Sequence, residues 1–397
     1  MPEAVIVSVA RSPIGRAFKG SLIGERGDEL LLQMARAALA AAPSFDPSEL
    51  DEVLVGCSLA SGELGGNIGR TIPLMLGLDD VPGYTLNRYC ASSLQTTRSA
   101  VHAIRAGDGD AYLSLGVESV SRVGDRGPDP LPGERSARFS AFVPSEDWTD
   151  PRASGRVPDA FISMGETAEN VARLRGVTRE QMDHYAAESQ ARAARAAEAG
   201  FWTRDIVPVT LSDGTVVSQD DSPRPGTTVE GLAALTPSFR PDGTITAGNA
   251  CPLNDGAAAV LLMSDGRAER LGLTPRARVL STAVSALSPE IMGLGTVEAA
   301  LRAVDSAGLT MDDMDLVEIN EAFAAQVIPT YEDLGVPHDK VNVMGGALAV
   351  GHPFGMSGAR ITSTLLNALE WTGGRYGLQT MCVAGGQGMA MVVERLP

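Results

Sequence analysis

Leu50-Asp51-Glu52-Val53-Leu54-Val55 and Met314-Asp315-Leu316-Val317-Glu318-Ile319 share one pattern at an offset of 264 residues. A second pairing repeats that offset to within one position: Ser92 opens one expected helix and Ser357 another, 265 residues on. Each helix runs into a turn, Ala106-Gly107-Asp108 or Thr372-Gly373-Gly374, and then into an apolar strand. Two agreeing offsets indicate a duplicated βα half. The period is too long for a solenoid, whose units recur roughly every 20–50 residues.

Working outward, short apolar runs predict buried strands at residues 4–10, 51–57, 84–89, 111–116, 257–264, 278–284, 316–319, 378–383 and 389–394. Helical patterns fall between them, as over 30–42 and 297–307. That alternation predicts an α/β protein with a largely parallel sheet flanked by helices. Residues 122–160 break the rhythm, being rich in Gly, Pro, Asp, Arg and Ser. Helices are expected next over 164–174 and 179–199, then loop with short strands over 205–246. The chain therefore divides into an N-terminal half (1–121 with 251–272), an inserted loop domain (122–250) and a C-terminal half (273–397). Arg122, Arg126, Arg135, Arg138, Arg152 and Arg156 are candidates for a positive field in that loop domain, or simply its solvated surface.

Composition narrows the function. With 44% hydrophobic and 20% charged residues over 397, the chain can build sizeable cores and is too apolar for disorder. A net charge of −17 argues against nucleic-acid binding but leaves room for an anionic small molecule at a local basic patch. Cys57, Cys90, Cys251 and Cys382 are scattered, so neither a zinc cluster nor a disulfide scaffold is indicated. Free thiols fit a reducing, cytoplasmic setting. The longest apolar run, near 257–263, falls far short of the roughly 20 residues of a membrane span, and the N-terminus has no signal-peptide pattern. No Walker motif and no suitably placed G-x-G-x-x-G is present, which argues against a dinucleotide enzyme.

Four places are candidates for chemistry. Cys90 sits where a strand turns into a helix, where the helix dipole favours thiolate; a buried structural cysteine is the plainer reading. His352 lies among five glycines between Met344 and Gly358 and is a candidate general base or a structural histidine. Cys382 opens Val383-Ala384-Gly385-Gly386-Gln387-Gly388, a turn able to aim N–H groups at an oxyanion or to serve as a turn alone. Asn320 follows a parallel strand at its carboxyl end, where open sheets bind ligands, although asparagine there also caps helices.

Taken in order, these motifs resemble the thiolase family over essentially the whole chain. They are residues 7–15, Asn87-Arg88-Tyr89-Cys90-Ala91-Ser92, Gly116-Val117-Glu118-Ser119, Met164-Gly165-Glu166-Thr167, Asn254-Asp255-Gly256, Asn320-Glu321-Ala322-Phe323-Ala324, Gly351-His352-Pro353 and the Cys382 block. The resemblance implies two βαβαβαββ halves in five layers (αβαβα) plus a loop domain that binds CoA. It implies an acyl-CoA carbon–carbon transferase with no permanently bound cofactor or metal, CoA and acyl-CoA being substrates. It implies a homodimer or homotetramer. By the same resemblance Cys90 is the nucleophile, Cys382 the acid/base and His352 a base. His352 and an Asn320-held water would form one oxyanion site, the N–H groups of Cys90 and Ala384 the other. Cys251, Met164, Ala322 and Phe323 would line the CoA and acyl pocket.

Four positions depart from the family pattern. Ala384 replaces a glycine, and a positive φ there would cost energy. Ser93 replaces another glycine, and Cys251 replaces a serine associated with pantetheine. Ser163 stands where short-chain biosynthetic members often carry histidine. That last difference favours thiolysis of other or longer 3-oxoacyl-CoAs over acetoacetyl-CoA synthesis. A related condensing synthase would lack the second cysteine. A non-catalytic acyl-CoA-binding subunit would have no need of Cys90, Asn320, His352 and Cys382 together.

Overall fold

The computed structural model describes residues 2–123, 138–139, 141–142 and 148–397. Twelve strands are described: β1 (Ala4–Arg11), β2 (Gly15–Arg16), β3 (Glu52–Gly56), β4 (Gly83–Leu86), β5 (Ala111–Ser119), β6 (Val209–Thr210), β7 (Val216–Val217), β8 (Asn254–Ser264), β9 (Ala277–Ala286), β10 (Leu316–Ile319), β11 (Tyr376–Val383) and β12 (Gln387–Arg395). The helices are α1 (Gly27–Ala40), α2 (Ile68–Leu76), α3 (Ser92–Ala106), α4 (Met164–Arg175), α5 (Arg179–Glu198), α6 (Phe201–Asp205), α7 (Val229–Ala233), α8 (Asp265–Arg270), α9 (Gly295–Ser306), α10 (Ala324–Asp333), α11 (Ala347–Val350) and α12 (Ser357–Thr372).

The strand order exposes the duplication. One half runs β4-β3-β5-β8-β1 and the other β10-β11-β12-β9. In each, parallel strands (β4, β3 and β5; β10 and β11) give way to antiparallel ones. The second half's counterpart of β4 is reduced to one parallel bridge, Val317 to Val341. The two half-sheets pair along β1 and β9 at two positions, Val5 with Arg278 and Ile6 with Ala277.

Side-chain alternation then builds the layers. Along β8, Ala258, Val260 and Leu262 enter a central core with α3 and α12, while Ala257, Ala259, Leu261 and Met263 enter an outer core with α1. Along β12, Met389, Met391 and Val393 face the central core, and Ala390 and Val392 face a second outer core with α9 and α10. Both faces of each sheet are therefore dry, which is why these strands read as unbroken apolar runs. The result is helix, sheet, central helices, sheet, helix. The expected strand at 84–89 ends at Leu86 instead. Asn87 takes the chain into a turn there, its Oδ1 accepting the Tyr89 N–H at 2.7 Å.

Between β5 and β8 lie α4 to α7 and the β6–β7 pair. This insertion is fastened to the core by a buried ion triad: Arg11 Nε bonds Asp205 at 2.7 Å and Nη1 bonds Asp220 at 2.6 Å. Asp205 also accepts from Ser363, Thr364 and Asn367 of α12.

The central helices meet at their N-terminal ends. A Cβ on Gly358 would lie 2.4 Å from the Leu94 backbone nitrogen. Ser93 Oγ accepts the Ala359 N–H at 3.0 Å, satisfying one of the orphan donors in the first turn of α12. Ser93 thus has room and a partner in place of the usual glycine. Gly358→Ala is expected to lower stability by about 1–3 kcal/mol through overpacking, measured by urea denaturation; an unchanged midpoint would show that the helices separate freely.

Candidate active site

The turn that carries Cys90 is held by local hydrogen bonds. Ser92 Oγ donates to the Tyr89 carbonyl at 2.6 Å and accepts the Arg88 N–H at 2.9 Å. Tyr89 adopts φ +46°, a strained geometry for an aromatic residue, immediately before the nucleophile candidate. Arg88 Nη1 bonds Gln387 Oε1 at 2.9 Å, tying this turn to the one that follows Cys382 in the other half.

The structure brings Cys90 and Cys382 together. Burial pushes the Cys90 thiol up from its ordinary range, as do Cys382 and Glu118 nearby; its own N–H and that of Ala384 act in the opposite direction. The dipole argument from sequence therefore does not decide the resting state, because desolvation outweighs it. Cys382 is itself buried, and its thiol is pushed up to about 12 by burial and by neighbouring Cys251. Cys251 is raised by burial and by Cys90. Three thiols share one site, and at rest all three hold their protons.

His352 is fully enclosed. Burial, with Arg360 adding to it, lowers its pKa to about 3, so the ring is neutral. Ser357 Oγ donates to the Pro353 carbonyl at 2.7 Å and lies 2.6 Å from His352 Nδ1. With that hydroxyl proton committed, Oγ accepts from Nδ1–H, and the Nε2 lone pair is left for chemistry. Asn320 Nδ2 lies 3.3 Å from Nε2. Its Oδ1 is buried with no partner among the described residues, as expected of an atom that holds a water. Asn254 Oδ1 accepts the His352 N–H at 2.9 Å.

The Ala384 expectation needs correcting. The left-handed residues of its turn are Gly385 (φ +75°) and Gly386 (φ +77°), and Ala384 is not among the positive-φ residues. The backbone bends one residue later than the glycine pattern suggests, so alanine is unstrained and keeps its N–H.

A cavity of about 420 Å³ has Cys251, Arg16, Phe18, Lys19, Gln190, Ser222, Arg224 and Phe239 in its lining. Of the four expected pocket residues only Cys251 lines it. Ala322 and Phe323 lie directly behind: the Ala322 carbonyl accepts the Cys251 N–H at 3.0 Å, and Phe323 packs edge-on against Phe239 at 6.2 Å. Met164 begins α4 and packs on the outer C-terminal core. Among the described residues the expected arginines do not line the cavity. Arg122 pairs with Glu63 and Arg152 with Asp150, and Arg156 bonds Ser154. Arg126 and Arg135 lie outside the described residues. Arg16, Lys19 and Arg224 line the cavity instead, and none of them forms an ion pair with a described residue. Sequence reasoning also gave Glu118, Asn254 and Ser357 no role; a polar residue at a strand's carboxyl end was the available signal for Glu118. Among the described residues no cluster could hold a metal ion, and no helix is long and apolar enough to cross a membrane.

Two family models cover this arrangement: the thiolase N-terminal domain over residues 4–266 and the thiolase C-terminal domain over 273–395. The chain belongs to the thiolase family. It is 44% identical to a beta-ketoadipyl-CoA thiolase of Pseudomonas aeruginosa, over 99% of each chain. It superposes on the crystal structure of Bacillus anthracis acetyl-CoA acetyltransferase with TM-score 0.88 and 37% identity, covering 100% of this chain and 99% of that one. Human mitochondrial 3-ketoacyl-CoA thiolase, crystallised with CoA, gives 0.87 and 35%, covering 100% and 98%. The duplicated halves described above are thus those of a thiolase fold.

The turn geometry yields a paired expectation. Ala384→Gly should leave turnover within about twofold and destabilise by a few tenths to about 1 kcal/mol, through the unfolded chain. Gly386→Ala should be worse on both counts, since its Cβ would lie 2.3 Å from the Leu287 carbonyl oxygen in a left-handed backbone. Steady-state kinetics and thermal denaturation of the two variants check this; equal behaviour would contradict it.

Proposed function

We propose that this protein catalyses CoA-dependent thiolysis of a 3-oxoacyl-CoA, giving acetyl-CoA and a shortened acyl-CoA, and the reverse Claisen condensation. The observation that carries the reading is the meeting of Cys90 and Cys382, from opposite halves of the chain, with the Ala384 N–H directed at the Cys90 sulfur.

The chemistry follows from the resting protonation states. Cys90 holds its proton, so it needs a base, and neutral His352 with an unprotonated Nε2 is suited to that task. The thiolate attacks the 3-keto carbon. The C2–C3 bond then breaks, leaving an acyl group on Cys90 and a carbanion at C2 of acetyl-CoA. Cys382 gives that carbanion its proton; a thiol raised to about 12 holds the proton firmly until a strong base forms beside it. The proton taken from Cys90 passes from His352 to the Cys382 thiolate. His352, neutral again, deprotonates the thiol of an incoming CoA, whose thiolate takes the acyl group, and returns that proton to the departing Cys90 sulfur. Developing oxyanions meet the N–H groups of Cys90 and Ala384 on one side, and His352 with an Asn320-held water on the other.

The residue 122–250 segment is proposed as the loop domain of a CoA site in the 420 Å³ cavity. Arg16, Lys19 and Arg224 would face the phosphates, giving the local positive field that a chain of net charge −17 needs. Ser163 and the name of the Pseudomonas relative favour acyl chains longer than acetoacetyl, in the degradative direction. The working assembly is proposed as a homodimer or homotetramer, on the family resemblance.

Cys90→Ser is expected to cut thiolysis about a thousandfold or more and to abolish the acyl-enzyme. Mass spectrometry after incubation with an acyl-CoA reads the intermediate, and wild-type turnover would defeat the assignment. Cys382→Ser should retain acyl transfer to Cys90 while losing carbon–carbon cleavage; loss of both would refute the division of labour. A panel of 3-oxoacyl-CoAs graded in length and terminal charge tests the substrate range, and preference for acetoacetyl-CoA would favour the biosynthetic reading. Arg224→Ala should raise KM for CoA about tenfold, as expected for one charged contact, and flatten its dependence on salt. An unchanged KM would move the phosphates elsewhere.

A further inference from the structure

The C-terminal end of β5 carries a carboxyl group that the mechanism does not use. Glu118 is completely buried. Its Oε1 accepts the Leu59 N–H at 2.9 Å and faces the Cys57 thiol at 3.7 Å. Its Oε2 accepts the Ser58 N–H at 3.0 Å and the Gly355 N–H at 2.8 Å. All four partners are donors, so the form that satisfies them is the carboxylate. Burial pushes this group up to about 7 even against the three N–H groups and the Cys57 thiol, which hold the charged form.

These partners belong to different machinery. Ser58 leads to the nucleophile: its carbonyl accepts Asn87 Nδ2 at 2.7 Å, and Asn87 Oδ1 accepts the Tyr89 N–H at 2.7 Å, one residue before Cys90. Gly355 leads to the base, lying between Pro353 and Ser357, which hold the His352 ring through the Ser357 hydroxyl. Contact at Gly355 is tight. A Cβ there would lie 2.4 Å from the Val117 carbonyl oxygen and 2.8 Å from the Cys57 Cα. The turn of one half is therefore seated directly on the strand ends of the other.

We infer that Glu118 is a positioning residue that sets the Cys90 turn against the His352 turn, acting on the first through Ser58 and Asn87 and on the second through Gly355. One rigid, fully bonded carboxylate fixes both arms, and misplacement of either by about 1 Å costs up to about a hundredfold in rate. Binding of CoA, in a cavity that Glu118 does not line, is left untouched.

The inference rests on the thiolase reading for its kinetic arm but not for its chemical arm. Glu118→Gln keeps the volume and turns an amide NH2 towards two N–H donors. It is expected to lower kcat by about tenfold or more with KM changed less than about threefold. Asn87→Ala, on an exposed side chain, cuts only the branch to Cys90 and is expected to lower kcat in the same way. In the double variant the two losses should fall well short of multiplying, because both act through one relay. Multiplicative losses overturn the relay, and a wild-type kcat in Asn87→Ala overturns it even if Glu118→Gln does not fold. Alkylation of Cys90 by iodoacetamide needs no substrate. In Glu118→Gln it should run at least about threefold faster at pH 7, since a neighbouring negative charge is removed and the turn is loosened. A wild-type alkylation rate in the folded variant overturns the inference, including in the case that wild-type protein shows no thiolysis.

Discussion

Everything in the site depends on the close approach of two helix N-termini in the central layer. Where Gly358 meets the Leu94 backbone, no side chain fits between α3 and α12. The turns entering these helices carry Cys90 and His352, so helix packing and site assembly are one constraint. Ser93 strengthens it by capping α12 from the other half. The pinning serines repeat the arrangement: Ser92 donates to the Tyr89 carbonyl and Ser357 to the Pro353 carbonyl, at 2.6 and 2.7 Å. Each also accepts one bond from its own turn, the Arg88 N–H in one half and His352 Nδ1–H in the other.

Duplication supplied two equivalent sets of strand ends, and the chemistry lies in how they diverged. At the 264-residue offset, Gly56 corresponds to Asn320 and Cys57 to Glu321. At 265, Val117 corresponds to Cys382 and Glu118 to Val383. In the proposed roles, one half provides a nucleophile turn and an anchoring carboxylate, the other a base, an amide and a second thiol. Glu321 anchors its own neighbourhood, accepting from Tyr185, Ser189, Asn342 and the Leu348 N–H. Both halves thus use a buried acid beside the strand ends to fix loops, at non-equivalent positions.

Burial gives the site its electrostatic character. In water a histidine titrates near neutrality and a cysteine about two units higher; here desolvation raises the thiols further and lowers the imidazole to about 3. Acid and base are thereby held apart in their neutral forms until substrate brings charge between them. Each thiol's own backbone N–H acts against that trend, and at Cys90 the Ala384 N–H adds to it, which sets Cys90 apart from Cys382.

The duplication, the layer-forming alternation and the candidates Cys90, Asn320, His352 and Cys382 were legible in the sequence, because strand periodicity, helix entry and glycine turns are local properties. The reach of the strand at 84–89, the conformation of Ala384 and the source of the cavity's charge were not. Each depends on a partner distant in the chain or on backbone geometry that composition does not encode. Glu118 shows the limit most clearly. It lay within a quoted motif, but its four donors come from residues 57–59 and from Gly355, 237 residues away. Local chemistry determined which residues were able to react. Only tertiary packing decided which of them share a site, which hold protons and which hold the others in place, because desolvation and hydrogen-bond saturation arise when segments meet.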